Sequence, residues 1–133
     1  MSNRTTCPAV LVPADLTQPC RFIDLDVENP LESMYPLMGC RFVVPVPTHP
    51  GHRLPDTMLW IDDEGLLVDN PKLNIRASMI GTQNLYGDAI FAGDWQGEIV
   101  PLDLGDITPE IFFSTLQFLA EDTAKQIAAA GTV

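Results

Sequence analysis

The chain has 133 residues, a length that fits a single domain. Of these residues 46% are hydrophobic and 12 are proline, and so many prolines argue against a helical bundle, because proline lacks the N–H that helices need. Lys and Arg number 7 against 18 acidic residues, so the net charge is −11, and binding to nucleic acid phosphates or to anionic membranes is not expected. Such a charge suits a basic protein surface as partner, or the groove of a DNA-binding protein that an acidic body could occupy as a decoy. The simpler interpretation is that the acidity only confers solubility.

Two strands and a helix are predicted near the beginning of the sequence. We expect residues 1–6 to be frayed. Residues 8–13 form an apolar run closed by prolines, as in an edge strand, and residues 20–26 alternate in polarity as a strand does. Asn29, which can cap a helix ahead of a proline, predicts a short helix that ends at Gly39.

A proline-rich segment separates the next two strands. Residues 41–46 are β-branched and aromatic, and residues 57–62 carry the clearest strand pattern in the chain. Between them, residues 45–55 hold too many prolines for regular structure and predict an exposed loop. Residues 62–65, three acids and a glycine, predict a tight turn, after which residues 66–68 can pair back as a hairpin.

Short elements follow in the second half of the chain. Residues 73–80 predict a short helix that ends at Gly81. Residues 89–92, which glycines frame on both sides, predict a short buried strand, and residues 98–102 predict another.

The strongest helix signal begins at Thr108, which can cap a helix whose first residue is Pro109 and which runs to about residue 129. Its apolar stripe is expected to lie on the sheet and consists of Phe112, Leu116, Leu119, Ala120 and Ile127. Phe113 and Phe118 widen this stripe, which is compatible with a homodimer contact.

These elements together predict an α+β domain that spans residues 1–133. Its mostly antiparallel sheet is expected to have about five or six short strands, with a short helix after the second strand and the long last helix packed on one face. No internal repeat or low-complexity segment interrupts this organisation.

Four short motifs resemble a known family. They are Leu37-Met38-Gly39-Cys40, the turn at 62–67, the helix start Asn74-Ile75-Arg76-Ala77-Ser78 and the strand at 87–93. On these motifs residues 31–94 resemble a family of small proteins of unknown function that is common in actinobacterial phages and plasmids. Cys40 departs from the glycine pair of the family, and an aspartate at 62 or 63 replaces its asparagine. The resemblance implies a mobile-element origin and a role in host takeover, in blocking host defence or in replication, and it implies no site residues.

The three cysteines, Cys7, Cys20 and Cys40, form neither a CxxC pair nor a zinc spacing. Their odd number, without the pattern of a secretory signal, predicts reduced thiols in a cytoplasm, which for a phage protein is that of the host. Cys40 is expected to be a small buried residue rather than a nucleophile. The sequence shows no phosphate-binding glycine loop, since Gly87 and Gly93 flank a strand instead of opening a helix. No cofactor is therefore predicted.

Two polar clusters are weak candidates for metal chemistry. His49 and His52 lie in the proline-rich segment with Asp56 near in sequence, but a zinc site wants a fourth ligand, so solvated histidines are the simpler interpretation. The acids at 62–64 precede a glycine, as in an exposed turn, and lack the spacing of a calcium loop. The sequence therefore predicts no catalytic or metal site.

Trp95, Arg76 and Asn74 are the candidate binding residues. Trp95 lies in a predicted turn, where a tryptophan can anchor an interface or fold back onto the core. Arg76 follows Asn74 at a predicted helix start, where it could serve an anionic ligand or pair with a neighbouring acid.

Three hypotheses of function follow from these features. The first is an accessory protein of phage or plasmid origin that binds a host protein, one with a basic surface, and modulates it without catalysis. The second is a binder of a small anionic ligand such as a nucleotide signal. It requires four cations to converge in one pocket, namely Arg41, Arg53, Lys72 and Arg76. The third is an enzyme with an unrecognised metal site at His49 and His52.

Overall fold

The computed structural model describes residues 6–40, 42–48, 56–64, 71–81 and 83–130. The strands in these ranges are β1 (Thr6–Val12), β2 (Arg21–Asp26), β3 (Val43–Pro47), β4 (Thr57–Asp62), β5 (Ala89–Trp95) and β6 (Glu98–Val100). The helices are α1 (Pro30–Met38), α2 (Ile75–Gly81) and α3 (Pro109–Ala130). The predicted α+β fold, with an antiparallel sheet and a long last helix, is confirmed.

The strand order is β2-β1-β5-β4-β3, with β6 paired to the last residues of β5. The expected edge position of β1 is therefore wrong, because β1 pairs with both β2 and β5. Its proline is tolerated because β5 pairs only with residues 10–12, which leaves Pro8 outside that ladder. Thr6 already pairs with Asp26, so the expected fraying is wrong at Thr6, and residues 1–5 lie outside the described ranges.

Strand β3 contains prolines, although residues 45–55 were expected to lack regular structure. Pro45 and Pro47 both lie in register with residues of β4. This is accepted because β3 is an edge of the sheet, where a missing N–H needs no partner. The rest of that segment, residues 49–55, and the predicted hairpin at residues 65–70 fall outside the described residues.

Helix α1 covers one face of the sheet and runs from one edge strand to the other. The core beneath it consists of Ala9, Leu11, Ile23, Leu25, Met34, Ile90 and Ala92. Pro30 begins the helix and Gly39 ends it with a φ of 63°, as the sequence predicts. Asn29 forms no side-chain cap, which corrects the sequence prediction, because its φ and ψ of −134° and 64° lie outside the extended region from which a capping side chain reaches the helix.

Helices α2 and α3 cover the opposite face. The core there includes Val10, Val12, Leu59, Ala77, Ile80, Phe91 and Leu116. The N–H of Ile111 donates to the hydroxyl of Thr108 at 3.3 Å, which confirms the predicted cap of α3. The apolar stripe of α3 is narrower than predicted, since Leu119 and Ile127 are 44% and 48% exposed.

The β5–β6 hairpin ends in a turn of two residues. Gln96 and Gly97 have φ values of 52° and 88°, which is typical of the type I′ turn that suits the twist of a hairpin. In β5, a Cβ atom on Gly93 would lie 2.5 Å from the carbonyl oxygen of Pro101, so only glycine fits beside the chain that leaves β6. Gly93 and Gly97 thus shape this hairpin, and Trp95 lies next to its turn.

Candidate functional site

Asn74 connects the start of α2 to the sheet. It is completely buried, and its side-chain oxygen accepts the N–H of Ala77 at 3.0 Å, as a helix cap does. Its amide group donates to the carbonyl oxygens of Val12 at 2.8 Å and of Gly87 at 2.9 Å. Asn74 therefore uses both ends of its amide to hold α2 against the end of β1.

Arg76 lies two residues further along the chain and is 1% exposed. Its Nη2 donates to the carbonyl oxygens of Pro13 at 2.7 Å and of Asp15 at 3.1 Å, and its Nη1 donates to the side-chain oxygen of Gln117 at 3.0 Å. Among the described residues its buried Nε has no acceptor. A full positive charge is thus removed from water and hydrogen-bonded to neutral oxygens rather than to a carboxylate. Such burial costs free energy unless further acceptors or a negative charge compensate the cation.

A cleft of about 720 Å³ reaches down to Arg76 between α3 and the loop that follows β1. We call it the Arg76 cleft. Its apolar walls are Leu16, Pro19, Phe113 and Phe118. Apolar walls around a few polar groups are typical of sites for small ligands.

The polar side of the Arg76 cleft comes from α3. Glu110, Ser114, Gln117 and Glu121 follow one another at helical spacing, so they line one face of the helix. Gln117 joins two opposite charges, because its oxygen accepts from Arg76 while its Nε2 donates to Glu121 at 3.0 Å. The same Nε2 donates to the carbonyl oxygen of Leu16 at 3.2 Å, which fixes the orientation of the amide.

The cysteines are not activated. Burial raises the pKa of Cys20, which lines the Arg76 cleft, although the positive charge of Arg76 opposes this rise. Burial also raises the pKa of Cys7 and of Cys40, with smaller contributions from the negative charges of nearby aspartates. A raised pKa leaves a thiol protonated near neutral pH, so none of the three has the thiolate character of a nucleophile.

A second recess lies on another side of α3, between α3 and α2. It is an apolar groove of about 510 Å³, and we call it the α2–α3 groove. The residues that line it are Met79, Ile80, Ile107, Ile111, Phe112, Thr115, Leu116 and Leu119. Ile107, Ile111 and Leu119 are 44%, 61% and 44% exposed, so the groove presents apolar surface to water.

Acidic residues accompany the α2–α3 groove along the chain. Asp106 precedes Ile107, and both side chains are exposed. Asp122 is also exposed and stands three residues after Leu119, on the same side of α3. The groove is therefore an apolar strip with negative charge beside it.

Trp95 is the third predicted binding residue, and it is the last residue of β5, in the β5–β6 hairpin. It is 55% exposed, so it stands out from the core rather than folding back onto it. Its cross-strand neighbour is Glu98. Asn74 and Arg76 lie together at the start of α2. Trp95 is not among the residues that line the Arg76 cleft or the α2–α3 groove.

His49 and His52, for which a metal site was the less favoured interpretation, lie outside the described residues. In the ranges that the structure describes, no group of three or more His, Cys, Asp or Glu residues could hold a metal ion. Asp62 accepts the N–H of Glu64 at 2.8 Å, which is typical of a turn.

Two of the four cations that the anion hypothesis requires, Arg41 and Arg53, also fall outside the described residues. Lys72 is exposed, whereas Arg76 is buried. Hydrogen bonds from Thr17 hold the pKa of Asp15 below its usual range, and the charges of Lys72 and Arg76 lower it further. These two cations therefore act on one carboxylate.

Sequence reasoning missed both recesses as such. It identified Arg76 but gave no sign that Gln117, 41 residues away, is its partner. It also assigned Leu119 to the buried stripe of α3, and the surplus of apolar residues on that helix was the one available signal of the α2–α3 groove.

Comparison with known proteins places the chain in a family. Residues 9–111 match the family described as a domain of unknown function, DUF3846, and the chain belongs to it. The resemblance to a family of unknown function is confirmed to that extent. No curated protein matches the chain. No helix in the described ranges is both long and apolar enough to span a membrane.

One solved structure with a similar fold is the crystal structure of small RNA methyltransferase HEN1, with a TM-score of 0.59 and 22% identity. The similarity covers 84% of this chain but only 16% of the methyltransferase chain. At this identity the likeness shows the fold alone.

Proposed function

We propose that this member of the family is a protein-binding module without catalytic activity, and that the α2–α3 groove binds an apolar segment of a partner protein flanked by Lys or Arg. The observation that carries the proposal is the exposure of Ile107, Ile111 and Leu119 in one groove. Burying such apolar surface stabilises a complex by about 25 cal/mol per Å² before the cost of association is subtracted.

Charge supports a basic partner. The net charge is −11, and two exposed acids, Asp106 and Asp122, stand next to or one turn from residues that line the α2–α3 groove. A segment with Lys or Arg on either side of its apolar residues would be attracted to this groove, whereas an acidic segment would be repelled. The charge thus selects between partners of equal hydrophobicity.

We further propose a phage or plasmid origin and a partner in the host cell, whose activity the bound protein modulates. The motifs at residues 37–40 and 74–78 support this origin through their resemblance to the family of actinobacterial phages and plasmids. A small acidic protein that occupies a basic surface can block what that surface binds by charge alone.

The binding proposal is tested with two labelled helical peptides, one of Leu and Lys and one of Leu and Glu with the same apolar face. We expect the basic peptide to bind, measured by fluorescence anisotropy, and Ile111→Ser to weaken it about tenfold or more, because an exposed apolar contact is lost. The matched control is Ile127→Ser, since Ile127 is 48% exposed on the same helix but does not line the groove.

Two results would contradict the proposal. One is equal binding of the acidic peptide, and the other is an equal loss of affinity in the Ile111 and Ile127 variants. The same pair of variants then identifies the host protein in lysate of an actinobacterial host. A partner retained by the unaltered protein and by Ile127→Ser, but not by Ile111→Ser, is the one that occupies the groove.

A further inference from the structure

The guanidinium of Arg76, which lines the Arg76 cleft, does not use all of its hydrogen-bond donors. The guanidinium has five N–H donors. Only three hydrogen bonds leave it within the described residues, and its Nε, which is buried, has no partner. The side chain is 1% exposed, and the acceptors of its hydrogen bonds are neutral oxygens. An acceptor with negative charge in the cleft would compensate this cation.

Gln117 indicates the polarity that a ligand would need in order to take its place. Its amide stands between a cation and an anion, with its oxygen 3.0 Å from Nη1 of Arg76 and its nitrogen 3.0 Å from Oε2 of Glu121. A neutral amide fills this position with partial charges only. A molecule with a carboxylate and an ammonium group attached to the same carbon would present the same polarity to both partners with full charges.

The remaining walls restrict the class of ligand. Phe113 and Phe118, with Leu16 and Pro19, offer apolar surface for a side chain. Glu110 and Glu121 line the same cleft, so a phosphate with two negative charges would be repelled. A simple amine is disfavoured in turn, because it would add no negatively charged acceptor to Arg76, whose hydrogen bonds all go to neutral oxygens.

We infer that the Arg76 cleft binds a zwitterionic α-amino acid with an aromatic or large apolar side chain. Its carboxylate replaces the Gln117 oxygen at Arg76, its ammonium group replaces the Gln117 nitrogen at Glu121, and its side chain lies against Phe113 and Phe118. This site goes beyond the proposed function and is independent of it. The residues that α3 contributes to the cleft differ from those that it contributes to the α2–α3 groove.

The test is a titration of the isotope-labelled protein, followed by amide NMR shifts, with L-phenylalanine as the probe. We expect saturable binding with a Kd of roughly 1 mM or below, and shifts at the cleft residues Thr17, Ser114 and Gln117. Two matched ligands each lack one charge. 3-Phenylpropanoate has no ammonium group and phenethylamine has no carboxylate, and each is expected to bind roughly tenfold more weakly.

A variant separates the ammonium contact from the rest of the site. Glu121→Gln should weaken phenylalanine roughly tenfold while leaving 3-phenylpropanoate unchanged, because only the zwitterion uses that carboxylate. Glu98→Gln makes the same change of charge in the β5–β6 hairpin and should affect neither ligand. The inference is overturned by any one of three results: no saturable shifts, equal affinity for all three ligands, or equal losses in the two glutamate variants.

Discussion

The two recesses beside α3 differ in what their residues do for the fold. In the Arg76 cleft, the polar side chains of Arg76 and Gln117 bond to the loop after β1, so they connect three parts of the chain. In the α2–α3 groove, the exposed side chains of Ile107 and Ile111 form no such connection and meet water. One recess therefore serves stability and offers a site, whereas the rim of the other serves no evident structural purpose.

This difference decides how each recess can be studied. A substitution on the rim of the α2–α3 groove changes binding without removing a buried contact. A substitution at the bottom of the Arg76 cleft changes the fold as well, because buried hydrogen bonds are lost together with the charge. Contacts in the cleft are therefore tested at Glu121, which is exposed, rather than at Arg76.

The largest effect is expected for Arg76→Met. Methionine keeps much of the apolar stem but leaves the carbonyl oxygens of Pro13 and Asp15 without their donor, so we expect the free energy of unfolding to fall by about 3 kcal/mol. Urea unfolding followed by circular dichroism measures it. Arg21→Met, at an exposed arginine of β2, is the control and should stay within about 0.5 kcal/mol. A loss as small as that of the control would remove the structural distinction between the two recesses.

A smaller effect is expected at Cys20, a reporter for the Arg76 cleft. Because burial raises its pKa, less thiolate is present near neutral pH, so alkylation by iodoacetamide should be a few-fold slower than for a free thiol and should still increase with pH where the rate of a free thiol has levelled off. Mass spectrometry of the labelled peptides measures this rate for Cys20 alone. Phenylalanine should slow it further and the basic peptide should not, since Cys20 lines only the cleft. Protection by the peptide instead would mean that the recesses are coupled.

The smallest effect is expected for the stability of Ile111→Ser. Ile111 is 61% exposed, so the free energy of unfolding should change by about 0.5 kcal/mol or less. Leu116 lies on the same helix and is 7% exposed. Leu116→Ala should lower the free energy of unfolding by about 3 kcal/mol, because it opens a cavity in the core. Chemical denaturation of both variants checks the contrast. Similar losses in both would show that the groove rim supports the fold.

Much of the local structure could be predicted from the sequence. Thr108 with Pro109 marks the start of α3, Gly39 marks the end of α1, and the alternation of residues 57–62 marks β4, all as observed. These signals are local because a cap, a left-handed glycine or a pleated strand depends on the backbone preferences of a few neighbouring residues. The fold class follows from the order of such elements.

The tertiary structure alone decided the rest. That β1 lies inside the sheet follows from which strands meet, and not from the prolines that favoured an edge. The partners of Arg76 are 41, 61 and 63 residues away, so no local pattern could distinguish a buried cation from an exposed one. The α2–α3 groove likewise depends on the packing of two elements, since residues of both α2 and α3 line it. Local preferences fix which elements form, whereas the contacts between distant elements fix which side chains are buried, and both recesses depend on those contacts.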